Sequence, residues 1–228
     1  MKPAPQPAPG HRAGAGAQAG VALPGRRLLL KLGLAVPTWA VGHAQPATLA
    51  PAPALQPLLR SAAGAGSVLV LRHALAPGTF DPPGFVLGDC RTQRNLNSAG
   101  RRQAGQIGDW FLQRQLRPAR LRSSPWCRCL ETARLAFGEP FGQPVEAWAP
   151  LGSPSAGTEA VNAQGLAQLR AELAALAQRR AGFEVWVTHM FVISALVGGG
   201  VQPGEALLLG VEPDGTPRVI ERWAEVAA

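Results

Sequence analysis

The sequence predicts an α/β fold of three layers, α/β/α, with a mainly parallel central sheet and helices on both of its faces. Two observations carry this. From Ser67 onward, short apolar runs bounded by turn residues alternate with stretches of helical period. That alternation builds βαβ units and hence a largely parallel sheet. The runs themselves, Val68-Leu69-Val70-Leu71 and Glu184–Thr188, are apolar at nearly every position rather than at every second one. Strands covered on both faces read in this way.

The elements follow in order. Val68–Leu71 is the first strand. Residues 98–115 form a helix, because Ala104, Ile107 and Phe111 share a face while Arg101, Arg102 and Gln106 fall outside it. Ala119–Arg122 is a short strand that ends at Ser123-Ser124-Pro125. Residues 126–137 read as a helix and Pro144–Trp148 as a strand. Leu166, Leu169, Leu173 and Leu176 have helical spacing, and Gly182 ends that helix. Glu184–Thr188 is the next strand, followed by a helical stretch over 191–198. Leu207–Val211 and Arg218–Trp223 close the fold as a hairpin around Pro213-Asp214-Gly215.

Ahead of this domain the chain changes character. Residues 1–25 are rich in Pro, Ala, Gly and Gln and have no hydrophobic period. Gly25-Arg26-Arg27-Leu28-Leu29-Leu30-Lys31 then opens an apolar stretch that runs to Val41 and exits through Gly42-His43-Ala44. A basic start, a short apolar centre and a small-residue exit make an export signal, here resembling the twin-arginine type. Cleavage is expected after Ala44, with the bacterial periplasm as destination. Pro37 and Lys31 break the apolar run, which is short for a bilayer span, so no stable membrane insertion is expected after cleavage. Residues 45–66 read as a Pro/Ala-rich linker or arm, from which Leu55, Leu58 and Leu59 could dock on the domain at 67–228.

Charge placement removes one function class. The formal net charge is +8, but five of the 22 basic residues precede position 45 and all 14 acidic residues follow it. The remainder carries 17 arginines against those 14 acids, with no basic run. A nucleic-acid partner is not expected. Three cysteines are too few for a disulfide scaffold, and their spacing fits no zinc site.

In open α/β sheets, ligands bind beyond the carboxyl ends of the strands. Three predicted strands end there in unusual polar residues: Arg72-His73, Ser123-Ser124-Pro125-Trp126-Cys127-Arg128, and Thr188-His189. Two histidines and two arginines would meet at one rim, and downstream of the leader these are the chain's only histidines. A single strand-end histidine is usually structural; two shift the balance towards a site. Arginine forks bind phosphate oxygens bidentately. An imidazole held among them stays neutral and free to attack phosphorus. Phosphoryl transfer asks for little beyond positioning and charge stabilisation. There is no P-loop and no His/carboxylate cluster at metal-ligand spacing, so no metal and no cofactor enter the reading.

These residues carry a resemblance. Leu71-Arg72-His73-Ala74 resembles the Arg-His-Gly signature of the histidine phosphatase (phosphoglycerate-mutase-like) superfamily. Leu96-Asn97-Ser98-Ala99-Gly100-Arg101-Arg102-Gln103-Ala104 is similar to its Leu-Thr-x-x-Gly-x-x-Gln-Ala helix start. Ser123-Ser124-Pro125-Trp126-Cys127-Arg128-Cys129-Leu130-Glu131-Thr132-Ala133 resembles its Ser-Ser-x-x-x-Arg-x-x-x-Thr-Ala segment, and Val187-Thr188-His189 its second-histidine strand. The four blocks stand in family order. The resemblance implies His73 as nucleophile through a phosphohistidine, with Arg72, Arg128 and His189 as the phosphate pocket.

Departures from the family pattern matter as much. Ala74 replaces the glycine after the nucleophile, which requires a negative φ there. Met190 replaces a small residue and would narrow the mouth. Where many members carry a general-acid Glu, this chain has Ala149-Pro150-Leu151-Gly152-Ser153-Pro154-Ser155. Asp81 and Glu159 are the nearest carboxylates. Asp81 sits in Gly78-Thr79-Phe80-Asp81-Pro82-Pro83 and is either a catalytic acid or a turn-forming Asp before proline. A third alternative is that no side chain serves as acid, as in the family's small phosphohistidine phosphatases. Arg94 is a candidate for the substrate's non-reacting end, whereas Arg91 reads as surface. Cys90 could pair with Cys127 or Cys129 in an oxidising compartment.

The resulting expectation is an exported, metal-independent hydrolase. It would cleave a phosphomonoester or phosphoramidate, on a small molecule or a phosphoprotein, through phosphohistidine at His73. The rival from another class is a degenerate phosphate-binding module without turnover. Mutase activity is disfavoured, because a mutase must pass phosphoryl between two alkoxides and needs the acid that is missing here.

Overall fold

The computed structural model describes residues 55–61, 66–153, 162–179 and 181–224. The chain divides into two units, residues 1–45 and 46–228, and every described residue lies in the second. The leader expected at 1–44 and Glu159 lie outside the described residues.

Among the described residues six strands form one sheet: β1 (Val68–Arg72), β2 (Arg120–Ser123), β3 (Glu146–Ala147), β4 (Glu184–Thr188), β5 (Glu205–Val211) and β6 (Pro217–Ala224). Their order across the sheet is β3-β2-β4-β1-β5-β6. The pairs from β3 to β1 are parallel, while β5 runs antiparallel to β1 and β6 antiparallel to β5. The sheet is thus mostly parallel, with the C-terminal hairpin as its antiparallel edge. Among the described residues six helices accompany it: α1 (Leu55–Arg60), α2 (Ser98–Gln113), α3 (Cys127–Ala133), α4 (Glu139–Phe141), α5 (Ala163–Arg179) and α6 (Met190–Val197).

Both faces of the sheet are covered, and the period of two along each strand explains how. Leu69, Leu71, Val185, Val187 and Leu208 point to one face, where they meet Ile107 and Phe111 of α2 and Phe137. Val68, Val70, Trp186, Leu207 and Leu209 point to the other, against Leu169 and Leu173 of α5 and Val192 and Ile193 of α6. Apolar runs with no polar alternation are the consequence of having two cores. Burying each such Leu or Val contributes roughly 1.5–3 kcal/mol.

Three elements differ from the sequence expectation. Part of the expected linker is helix α1, in which Leu55 and Leu59, one turn apart, are both buried in the α2-side core. The helix expected over 126–137 breaks at a π-helical turn, Arg134–Gly138. Pro140 supplies the reason: it has no N–H to give Ala136, and its ring would clash with that carbonyl. The ladder widens instead, and Glu139 N–H donates to the Arg134 carbonyl. The freed Ala136 carbonyl turns towards α2, where a Cβ on Gly108 would lie only 2.7 Å from its oxygen. The strand expected over Pro144–Trp148 shrinks to Glu146–Ala147, because Pro144 cannot donate and a 3-10 turn, Ala149–Leu151, begins right after Trp148.

Register is what assembles the rim. Arg72 of β1 lies opposite Thr188 of β4, and Ser123 of β2 lies opposite Val187. The pairing extends one step further, with His73 N–H donating to the Thr188 carbonyl at 2.9 Å and Ser124 N–H to the Val187 carbonyl at 2.8 Å. His73, Ser124 and His189 therefore leave three adjacent strands at one level.

Candidate active site

At that level lies a cavity of about 180 Å3, lined by Arg72, His73, Arg94, Arg128 and His189 together with Gly78, Thr79, Ser153, Met190 and Phe191. Five of the six residues singled out in the sequence thus meet in one place. Asp81 does not line this cavity.

His73 is 2% exposed, and its ring centroid is 5.5 Å from that of His189. Its Nδ1 lies 2.8 Å from the Ala74 carbonyl oxygen. A carbonyl only accepts, so Nδ1 carries the proton and the lone pair is on Nε2. Burial pushes the imidazole pKa down to about 3, and the cations of Arg128, Arg94 and Arg72 push the same way against the Ala74 bond. At neutral pH the ring is therefore neutral, with a defined nucleophilic nitrogen. Ala74 fits because its φ is not positive; its side chain is fully buried beside Leu96 and Ala104, and its N–H donates to Thr132 Oγ1 at 3.0 Å.

Three guanidinium groups surround this ring. Arg72 Nη1 donates to the Val201 carbonyl at 2.6 Å, and Arg94 Nη1 to the carbonyls of Ala76 at 2.5 Å and Gly78 at 3.1 Å. Burial lowers the pKa of Arg94 to about 10, with Arg128 adding to it, and burial also lowers that of Arg72. Both stay protonated at neutral pH. The Nε–H groups of Arg72, Arg94 and Arg128 are buried and find no acceptor among the described residues. Buried donors normally have partners, and the oxygens of a tetrahedral oxyanion are of the right kind to serve three guanidinium groups.

His189 is buried at the end of β4, its pKa held well below the usual range by burial first and by Arg128 second. Arg128 Nη2 approaches its Nδ1 at 3.3 Å, so Nδ1 accepts and Nε2–H donates to Ser124 Oγ at 2.8 Å. Cys129 Sγ packs 3.5 Å from Nε2, and burial raises this thiol's pKa to about 12.

Asp81 has a different place from the one a proton donor needs. Both carboxylate oxygens bond Arg128 Nη1, at 2.8 and 3.0 Å. Oδ1 also accepts the Arg94 N–H at 2.9 Å, and Oδ2 accepts Trp126 Nε1–H at 3.2 Å. Its side chain is 4% exposed. The turn-forming Asp is thus a clamp that fastens the loop after His73 to Arg128. Among the described residues lining the cavity there is no carboxylate.

Other residues here escaped the sequence reading. Thr79, Ser153 and Phe191 reach the cavity, and nothing local in the sequence marks them. Gln103 holds the rim by accepting Leu75 N–H at 3.0 Å and donating to the Pro203 carbonyl at 2.8 Å; its motif position was the available signal. Gly100 lets α2 approach this segment, since a Cβ there would lie 2.0 Å from the Leu75 oxygen. Cys90 and Cys127 form a disulfide with a Cα–Cα distance of 5.6 Å, leaving Cys129 free. Arg91 lies on the surface, paired with Asp89.

Residues 68–159 match the family model of the histidine phosphatase superfamily, branch 1. Over this stretch the chain is similar to that superfamily. The protein histidine phosphatase SixA complexed with tungstate is 15% identical; the match covers 69% of this chain and 96% of SixA, with a TM-score of 0.51. A phosphoserine phosphatase mutant from Entamoeba histolytica, in complex with phosphoserine, is 16% identical, with 68% and 95% covered and a TM-score of 0.51. Both likenesses bear on the fold. No curated protein matches the sequence significantly. Among the described residues, no helix is long and apolar enough to cross a membrane, and no group of His, Cys, Asp and Glu could hold a metal ion.

Proposed function

We propose that this protein is a histidine phosphatase that hydrolyses a phosphomonoester or phosphoramidate through a phosphohistidine on His73, with no metal. The observation that carries this is the bond from His73 Nδ1 to the Ala74 carbonyl, which fixes the lone pair on Nε2 within a ring of three arginines. Nε2 attacks phosphorus, the N–P bond forms and the bond to the leaving group breaks. Arg72, Arg94 and Arg128 hold the equatorial oxygens, where charge accumulates. Attack by water on the phosphohistidine then releases inorganic phosphate and restores neutral His73. His189 is placed to donate to a phosphoryl oxygen once its ring exchanges Ser124 for substrate.

In this proposal Asp81 positions Arg128 and does not protonate the leaving group. Water supplies that proton, so the favoured substrates have leaving groups that depart with little help. Export to an oxidising compartment is part of the same reading. The twin-arginine-like leader suggests it, and a disulfide between Cys90 and Cys127 fits it.

The test is hydrolysis of an activated aryl phosphate, without added metal, by the wild type and by His73→Ala. The expected result is turnover and an acid-labile phosphoryl adduct in the wild type, with both lost in the variant. Phosphate binding without turnover would instead make the protein a phosphate-binding module.

A further inference from the structure

A second, apolar hollow borders the phosphate cavity. It is a groove of about 700 Å3 lined by Phe80, Pro82, Pro83, Phe85, Leu87 and Trp126, with Gly84 and Asp81. Its position is fixed by the clamp described above. Asp81 of the groove bonds Arg128 of the phosphate cavity, and Trp126 of the groove packs edge-on against His189 with 5.4 Å between ring centroids. At the rim, Phe80 stacks on Phe191, a residue of the phosphate cavity, with ring planes 6° apart and centroids 6.4 Å apart. The two hollows thus share one wall and one rim.

Its chemistry is one-sided. Phe80 and Leu87 are 52% and 50% exposed, a costly arrangement for side chains of this size unless something covers them. The only charged side chain of the groove, Asp81, is already matched by Arg128. No cation is available there for a carboxylate or a second phosphate, and an anionic group would face Asp81. The occupant this lining fits is flat, uncharged and aromatic. Independently, the phosphate cavity has no carboxylic acid among its described residues, which favours a leaving group acidic enough to depart unaided. Phenols satisfy both conditions, and aliphatic alcohols satisfy neither.

We infer that the groove is the leaving-group subsite and that the substrates are aryl phosphomonoesters, whose phosphoryl group sits among Arg72, Arg94 and Arg128 while the aromatic ring crosses the Phe80–Phe191 rim. This rests on the phosphatase reading. In the reaction the N–P bond to His73 forms, the P–O(aryl) bond breaks, and the phenolate leaves through the groove and takes its proton from water.

The test separates the groove from turnover by using phosphonates, which cannot be hydrolysed. Calorimetry compares benzylphosphonate with 2-naphthylmethylphosphonate on the full protein, on Leu87→Asp and on Phe80→Ser. Both replaced side chains are half exposed, so the fold tolerates the changes. The wild type is expected to bind the naphthyl compound about tenfold more tightly, as burial of one further aromatic ring implies, and both variants to bring the ratio close to one. Equal affinities in the wild type, or a ratio that neither variant alters, would overturn the subsite. So would a wild-type dimer that Leu87→Asp turns into a monomer, since the groove would then hold a second copy. Failure of His73 to accept phosphate would overturn the phosphatase reading and the leaving-group role with it, while the phosphonates report separately on whether the groove takes an aromatic ring.

Discussion

The carboxylate of Asp81 holds Arg128 Nη1 with both oxygens while its neighbours Arg94 and Trp126 each donate one further hydrogen bond to it. One side chain thereby ties the loop after His73 to the start of α3. It also takes one unit of positive charge out of a cavity bounded by three guanidinium groups. A proton donor would need an oxygen facing the leaving group, and Asp81 has none to spare. Asp81→Asn is therefore expected to lower kcat by about tenfold or more while the basic limb of the pH–rate profile stays in place. Loss of that limb would restore Asp81 as the acid. Breaking a buried ion pair on one side costs about 3–5 kcal/mol, so thermal unfolding should report a large destabilisation as well.

The two histidines make stability depend on pH in one direction. In the unfolded chain an imidazole titrates near pH 6.5. In the fold, burial holds His73 down to about 3 and His189 well below its usual range. Between those values the unfolded state binds more protons than the native state, so stability rises with pH. It is fully present above about pH 6.5 and drains away as the pH falls towards 3. Denaturation midpoints measured from pH 7.5 to 4 should fall steadily, and His73→Ala should flatten part of the slope. The imidazole resonance of His73 should not titrate between pH 5 and 8.

Close approach of α2 to the segment after His73 gives a sharper structural test. A methyl group on Gly100 would collide with the Leu75 carbonyl, which belongs to the backbone and cannot swing aside. Gly100→Ala must therefore push Leu75 and its neighbours, including the Ala74–Ala76 stretch that carries the His73 loop. Overpacking of this kind costs about 1–3 kcal/mol. The same variant should lose activity out of proportion to its stability, measured as kcat at a temperature well below its unfolding midpoint.

Much of this fold was legible because the signal was local. Val68–Leu71 and Val185–Val187 are unbroken apolar runs, and sheets buried on both faces leave that mark. His73 and His189 were legible as strand-end polar residues, and the parallel register of β1 and β4 brings them together. What stayed hidden depends on distant partners. Asp81 before Pro82 reads as a turn residue or as an acid, and its role as a clamp appears only when Arg128 arrives from the start of α3. The π-helical turn follows from Pro140 acting on a carbonyl one turn earlier, which a periodicity argument passes over. Thr79 and Ser153 join the cavity through loop paths that no spacing rule encodes, and Phe191 joins it from the first turn of α6.

The disulfide links the loop before α2 to the residue preceding Arg128, and it spans 37 positions of the chain. Closing a loop of that length removes enough freedom from the unfolded chain to stabilise the fold by roughly 3–4 kcal/mol in the chain-entropy view. The bond also braces the rim of the cavity, since Gln93, three residues after Cys90, accepts Cys127 N–H through its Oε1 at 3.0 Å. Cys90→Ser and Cys127→Ser should each lower the unfolding midpoint, and a reductant should do the same to the wild type but nothing to the variants. Cys129 gives the control. Its buried thiol, with a pKa raised to about 12, should resist alkylation in the native protein and take one adduct after unfolding. A reduced wild type that unfolds at the same temperature as the oxidised one would show that α2, α3 and the Asp81–Arg128 pair hold this edge without the bond. The loop-closure argument would then fail for this chain.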